Sequence, residues 1–271
     1  MKMDLFVKSI FGAILLMVLN SLAIITFGLP VEQWFSIWSL LANYLITFII
    51  GCVIIYSNYQ GLKMSLIVFV IYYLIAHFNI LIEAYIFNVT DRTETIIGML
   101  EGLLVAVIFS PIYVYLFKNK ENIETSNFIS RTYMSWTWRI VLGNVLYLFF
   151  YILAGITLTT VYPELMKFYE GKIPSVELIF KTQLFLRGFI FVAVAILMLR
   201  ILKASLLKKS ILVGLVFSIL GGISPLIQPN ELMPDYVRLG HLFEVGISNF
   251  IYGLVLGFLL GNNPQDKPYI V

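Results

Sequence analysis

The sequence predicts an all-α, polytopic membrane protein of about eight transmembrane helices, built as two tandem parallel four-helix repeats. Three observations predict this fold: an apolar composition, eight long apolar runs, and similarity between the two halves of the chain. Of the 271 residues, 60% are hydrophobic and 12% are charged, whereas soluble domains carry about 25% charged residues. Because so few charges cannot cover a water-soluble surface, a lipid bilayer is the expected surroundings.

Eight apolar runs are long enough to cross a bilayer. The hydrocarbon core is about 30 Å thick and takes about 20 helical residues to span. The predicted spans are 9–28, 35–57, 63–84, 96–117, 138–160, 180–202, 209–228 and 237–260. The first span follows Lys2 and Lys8, as in a secretory signal, but it is longer than a signal core and lacks a small-x-small cleavage site. It is interpreted as an uncleaved membrane helix.

The distribution of Lys and Arg predicts a cell-membrane protein with both termini in the cytoplasm. Eight crossings put both chain ends on one side, and an excess of basic residues marks the cytoplasmic side. The side of the termini carries Lys2, Lys8, Lys63, Lys118, Lys120, Arg131, Arg139, Arg200, Lys203, Lys208, Lys209 and Lys267. The opposite, outer side carries only Arg92, Lys167, Lys172, Lys181, Arg187 and Arg238.

The two halves of the chain resemble each other, which predicts the tandem repeat. The aligned pairs include Leu62–Val68 with Leu207–Val213, Glu83 with Gln228, Gly12 with Gly143, and Glu101 with Glu244. An even number of helices gives both repeats the same orientation about an axis along the membrane normal. The predicted organisation is therefore a first repeat over 1–118, a cytoplasmic connector over 119–136 and a second repeat over 137–271.

Polar residues from several spans gather in the outer half of the predicted bundle. A charged side chain at the bilayer centre costs roughly 2.5–3.5 kcal/mol on insertion scales, so these residues should face the bundle interior or a water-filled cavity. On the eighth span, His241, Glu244 and Ser248 share one face, and a glycine stripe on the opposite face predicts close helix packing. The predicted substrate- or ion-binding residues are Asn43, Asn79, Glu83, Glu101, Arg187, Arg238, His241, Glu244 and Ser248.

The leading hypothesis is a transporter or permease with this polar site between the repeats. Glu101 and Glu244, equivalent in the two halves, would couple protons or cations, because a desolvated carboxylate has a raised pKa and can carry a proton. Arg187 and Arg238 would hold an anionic group of a small-molecule substrate. The alternative without transport is that these acids and cations form ion pairs between helices that serve only the structure.

Two other function classes are open at this stage. In an intramembrane enzyme acting at the outer leaflet, His241, Glu244 and Glu101 would ligate a metal, or His77 and His241 a haem. In a non-catalytic membrane subunit, the glycine face or the basic cytoplasmic rim would bind a membrane partner or a second copy of the chain. The residues 163–172, with apolar and aromatic residues between charges, could lie as a short interfacial helix over the outer mouth, and they are interpreted as an outer loop in preference to a lid.

Several classes of protein are excluded or unsupported. No Walker loop, HExxH or GxSxG motif is present, so no catalytic residue, cofactor site or metal site is assigned and the cofactor is left open. The scattered basic residues form no nucleic-acid-binding patch. Cys52 is the only cysteine, which excludes an internal disulfide.

Overall fold

The computed structural model describes residues 2–28, 36–117, 131–229 and 233–261. Eight helices in these ranges are long and apolar enough to cross a membrane, as the sequence predicted. They are α1 (Lys2–Phe27), α2 (Ile37–Tyr56), α3 (Gly61–Ile86), α4 (Arg92–Tyr115), α5 (Tyr133–Val161), α6 (Val176–Ile201), α7 (Leu206–Ile227) and α8 (Asp235–Leu260). Most of the predicted connector, 119–130, lies outside the described residues, and α5 begins at Tyr133, inside the predicted connector range.

Side-chain caps explain where several helices begin. Ser36, Asp91, Thr132 and Ser175 each precede a helix, and each accepts a hydrogen bond from a backbone N–H in the first turn. These residue types stabilise a helix start because their oxygen satisfies an N–H that has no partner within the helix. We call the face where α1 begins and α8 ends the terminal face, and the opposite face the far face.

Three membrane helices contain a π-helical segment. The segments are Tyr73–Phe78 in α3, Gln183–Arg187 in α6 and Ile219–Ile223 in α7. In each, the following residue donates its N–H to a carbonyl five residues earlier, as Gly188 does to Gln183. Each segment changes which side chains share a face beyond it. Short π-helical segments of this kind are frequent at functional sites.

Glycines on α8 let it lie directly against α7, as the glycine stripe predicted. A Cβ at Gly257 would overlap the backbone of Ser210, and one at Gly253 would lie 2.7 Å from the Cα of Gly214. Neither position can carry a side chain without moving the helices apart. The close contact extends toward the far face, where the hydroxyl of Ser218 donates to the carbonyl of Gly246 at 2.7 Å.

A short antiparallel backbone contact joins the two halves of the chain at the terminal face. Ser57, just after α2, and Leu202, just after α6, form an isolated β-bridge. The N–H of Asn58 donates to the carbonyl of Ile201 at 3.1 Å, and the N–H of Lys203 donates to the carbonyl of Tyr56 at 2.7 Å. The two hydrogen bonds tie the end of α2 to the end of α6.

Candidate functional site

The first polar cluster is centred on Arg187, which is buried between α6, α3 and α5. Its Nη1 lies 2.7 Å from Oε2 of Glu83, and the two side chains are 6% and 35% exposed. Its Nε donates to Oδ1 of Asn79 at 3.1 Å, and Nη1 donates to Oε1 of Gln183 at 3.1 Å. The guanidinium also lies 5.8 Å from the ring centre of Tyr147. Glu83 therefore neutralises a buried cation while part of its own surface stays accessible.

Two π-helical segments adjoin this cluster. The segment in α6 contains both Gln183 and Arg187, and the segment in α3 ends immediately before Asn79. Non-α backbone inside a membrane protein is tolerated where it is buried in protein or lines a water-filled cavity. The π-helical segments of α3 and α6 therefore meet at the charged side chains, so regular helix geometry is interrupted at this site.

Two buried polar atoms beside Arg187 have no hydrogen-bond partner among the described residues. They are Nε2 of Gln183, a donor, and Oδ1 of Asn144, an acceptor. The Asn144 oxygen lies next to Gly188, the residue that follows Arg187. Buried polar atoms are satisfied in more than about 90% of cases, and the exceptions often mark an ordered water or an ion. This unfilled donor and acceptor make the cluster a candidate binding site.

The second polar cluster joins α8 to the loop between α5 and α6. The Tyr169 hydroxyl lies 2.7 Å from Nε2 of His241, and Nδ1 of His241 lies 3.0 Å from Oε2 of Glu244. Tyr169 ends the short helix Leu165–Tyr169, in the region where the sequence indicated a possible short interfacial helix. Leu165 is buried against Leu158 and Val237, which fixes the short helix on the far face.

The donor and acceptor roles in this cluster depend on the tautomer of His241. Burial raises the pKa of Tyr169 above its ordinary value, and the carboxylates of Glu83 and Glu244 raise it further. The hydroxyl therefore stays protonated and can donate to Nε2 of His241. In the tautomer that accepts this hydrogen bond, the other ring nitrogen, Nδ1, carries the proton and donates to Glu244. The result is a continuous chain of hydrogen bonds from the far face to Glu244.

The two clusters are neighbours. Tyr147 interacts electrostatically with Arg187, Glu83 and Glu244, and Tyr169 interacts with both carboxylates. Five of the predicted site residues thus meet in one region: Asn79, Glu83, Arg187, His241 and Glu244. Within the described chain, the region contains the carboxyl groups of Glu83 and Glu244 and one guanidinium, that of Arg187.

Four other predicted site residues lie outside these two clusters. The guanidinium of Arg238 pairs with Asp235 at 2.8 Å and donates to the carbonyls of Leu226 and Ile227, so it caps the end of α7. Asn43 donates to the carbonyl of Ser39, one turn earlier on α2. Ser248 donates to the carbonyl of Val245. Glu101 neighbours Tyr72 and makes no hydrogen bond or ion pair within the described ranges.

The structure pairs Arg187 with Glu83, Arg238 with Asp235 and Glu244 with His241. That Arg187 and Arg238 hold an anionic substrate group stays a prediction. Tyr147, Tyr169 and Asn144 were not predicted as site residues. For Tyr169, the available signal was its place beside Phe168 in the region 163–172.

The metal and haem hypotheses gain no support from the geometry. In the part of the chain that the structure describes, no group of three or more His, Cys, Asp or Glu side chains is arranged to hold a metal ion. His77 lies against Gly102 and edge-on to the ring of Tyr72 at 5.0 Å. His241 is instead bonded to Tyr169 and Glu244.

The joined clusters can bind a small cation or exchange a proton, because they combine accessible carboxylate, imidazole and phenol groups with an unfilled donor and acceptor. They draw on α3, α5, α6, α8 and the short helix. The chain crosses the membrane many times, as its eight apolar helices require. Comparison with models of protein families, with curated proteins and with solved structures finds no match to this chain.

Proposed function

We propose that the protein is a transporter or permease whose polar site lies between two tandem four-helix repeats. In this proposal both termini are cytoplasmic, and the far face is the outer face. The observation that carries it is the Arg187 cluster, which joins α6 of the second half to α3 of the first. Carriers built from repeats bind their substrates at the repeat interface, close to interrupted helices.

Contacts at equivalent positions support the repeat. Under the sequence alignment, Ser57 corresponds to Leu202, so the β-bridge joins equivalent residues, as expected beside a two-fold axis. The π-helical segments Tyr73–Phe78 and Ile219–Ile223 also correspond within one residue. The ring contact of Tyr72 with Phe109 has its counterpart in that of Phe217 with Tyr252.

The charged site itself has a counterpart with different chemistry. Asn79 and Arg187 correspond to Ser224 and Ala42, and the Ser224 hydroxyl donates to the Ala42 carbonyl at 3.3 Å. The same two helix positions therefore meet twice, once through an amide and a guanidinium side chain and once through a hydroxyl and a backbone carbonyl. Only one of the two copies of this interface is polar. In this proposal, the protein therefore has a single binding site, at the copy that contains Arg187.

The charge of the site favours a cation or a proton as the transported or coupled species. Glu83 is partly exposed and Glu244 is linked to the far face through His241 and Tyr169. Arg187 and Arg238 are both occupied, so the proposal assigns them no anionic group. Gln183 and Asn144 would supply the remaining hydrogen bonds to a water or to a small polar solute.

Flux measurements in liposomes test the proposal. The purified protein would be reconstituted with an internal pH-sensitive dye, and proton and sodium fluxes would be measured with and without amino acids, sugars, nucleosides and small amines outside. We expect flux at least fivefold above protein-free liposomes for one class of solute or ion, and its loss in Glu244→Gln.

The matched control is Glu177→Gln, which neutralises a carboxylate on α6 that is 75% exposed and pairs with Lys181 in the same helix. This variant should keep the flux of the unmodified protein. Flux equal to that of protein-free liposomes for every ion and solute tested would contradict a transport function. Equal loss in Glu244→Gln and Glu177→Gln would argue against the specific site.

A further inference from the structure

A cavity of about 260 Å³ lies near the terminal face, away from the polar site. It is lined mainly by apolar side chains from the ends of α2 and α4 and from the start of α3, including Ile54, Met64, Pro111 and Val114. The loop that connects α2 to α3 lines it as well, through Tyr59 and Gly61. The cavity therefore lies where these helices approach the surface of the bilayer.

The second half of the chain closes the corresponding position. Val114 and Ser65 line the cavity, and their counterparts are Gly257 and Ser210, which are in direct contact. Because Gly257 has no side chain, α8 lies against α7, whereas the side chain of Val114 prevents α4 from approaching Ser65 equally closely. The repeat alignment proposed above thus identifies one reason for the gap.

A missing side chain is the second reason for the gap. Gly61 corresponds to Leu206, whose side chain packs against Gly261 in the second half. A Cβ at Gly61 would meet no atom within 4 Å, so the space that the leucine fills in one half is open in the other. Gly61 also has a φ of 55°, a conformation that favours glycine over residues with a side chain.

We infer that this cavity binds one acyl chain of a phospholipid from the leaflet at the terminal face. Its wall is apolar, and Leu62 and Tyr115 at its edge are 76% and 61% exposed on helices whose surroundings are lipid. In a bilayer, acyl chains are the apolar molecules present at high concentration beside such an opening. The inference is independent of transport at the polar site.

Photo-crosslinking in lipid nanodiscs tests the inference. The nanodiscs would contain phosphatidylcholine, phosphatidylglycerol and a phosphatidylcholine whose acyl chain carries a diazirine. After illumination, peptide mass spectrometry would locate the adducts. We expect adducts at Met64, Ser65 and Val114 at least fivefold above those at Ser210 and Gly257, where the counterpart position is closed.

A filling variant makes the test specific. Ser65→Leu should reduce the cavity adducts at least fivefold, while adducts at the exposed lipid-facing residue Val107 stay unchanged. Val114→Phe provides a second filling variant if Ser65→Leu does not fold. Cavity adducts no more frequent than those at Ser210 would overturn the inference. Loss of the cavity adducts on addition of free oleate would also overturn it, because it would assign the cavity to a fatty acid. A cavity filled by another part of the chain would likewise give no adducts.

Discussion

Arg187 on α6 and Glu83 on α3 form a buried ion pair, with 2.7 Å between Nη1 and Oε2. Asn79 and Gln183 also accept hydrogen bonds from the guanidinium. This pair links the two halves of the chain inside the membrane, and it has consequences for stability that differ from those of the neighbouring Glu244.

Glu83→Gln should strongly destabilise the protein, because it leaves Arg187 buried without a counter-charge. Breaking a buried pair from one side typically costs about 3–5 kcal/mol. The double change Glu83→Gln with Arg187→Met should recover a large part of that loss, because it removes the uncompensated cation. Thermal unfolding of the purified variants measures both effects, and a double variant no more stable than Glu83→Gln would argue against the pairing. Glu244→Gln should be milder, since the amide oxygen can still accept from Nδ1 of His241.

Tyr169→Phe should loosen the short helix at the far face without unfolding the bundle. The change removes the hydroxyl that donates to His241 but keeps the ring, which contacts Phe87 at 6.0 Å. A typical hydrogen bond contributes about 0.5–1.5 kcal/mol, so the melting temperature should fall only slightly. Amide hydrogen exchange in residues 163–175 should accelerate several-fold. Tyr162→Phe, at an exposed tyrosine of the same loop, should not change the exchange rate.

Gly257→Ala should destabilise the contact between α7 and α8 by about 1–3 kcal/mol, the usual cost of overpacking. The new methyl group would overlap the backbone of Ser210, which cannot move independently of its helix. Gly155→Ala is the matched control, because a Cβ there meets no atom within 4 Å. Its melting temperature should be unchanged or slightly higher. Equal melting temperatures for the two variants would contradict the close packing.

Lys203→Met should raise the melting temperature. The Lys203 ammonium nitrogen is buried and has no hydrogen-bond partner in the described ranges. Burial of an unpaired charged group is unfavourable, whereas the methionine keeps a similar length without the charge. Lys208→Met, at a more exposed lysine on the same face, should have little effect. A lower melting temperature for Lys203→Met would indicate that the ammonium group has a stabilising partner.

Cysteine labelling tests the predicted topology. In a Cys52→Ala background, a cysteine at Gly261 or at Asn119, which lies outside the described residues, should react with an impermeant maleimide only from the cytoplasm. A cysteine at Asn88, between α3 and α4, should react only from outside. Reaction of positions 88 and 119 from the same side would disprove the predicted crossings.

The helical spans could be predicted from the sequence because each depends on a local property, a run of about 20 apolar residues. The partner of Arg187 could not be predicted in this way, because it depends on which helices are neighbours across the bundle. The π-helical segment Tyr73–Phe78 gave no signal either, since it contains no proline or glycine that would mark an interruption of the helix. Tyr169 was not predicted as a site residue because its contact with His241 joins residues 72 positions apart in the chain, and no local pattern indicates such a contact.

The β-bridge between Ser57 and Leu202 has a mechanical consequence. It consists of backbone hydrogen bonds, which neither titration nor most substitutions can remove, whereas the link between Glu83 and Arg187 depends on charge. The bridge at the terminal face is therefore a link between the halves that is insensitive to pH. The link through Glu83 and Arg187, closer to the far face, would be lost on protonation of the carboxylate.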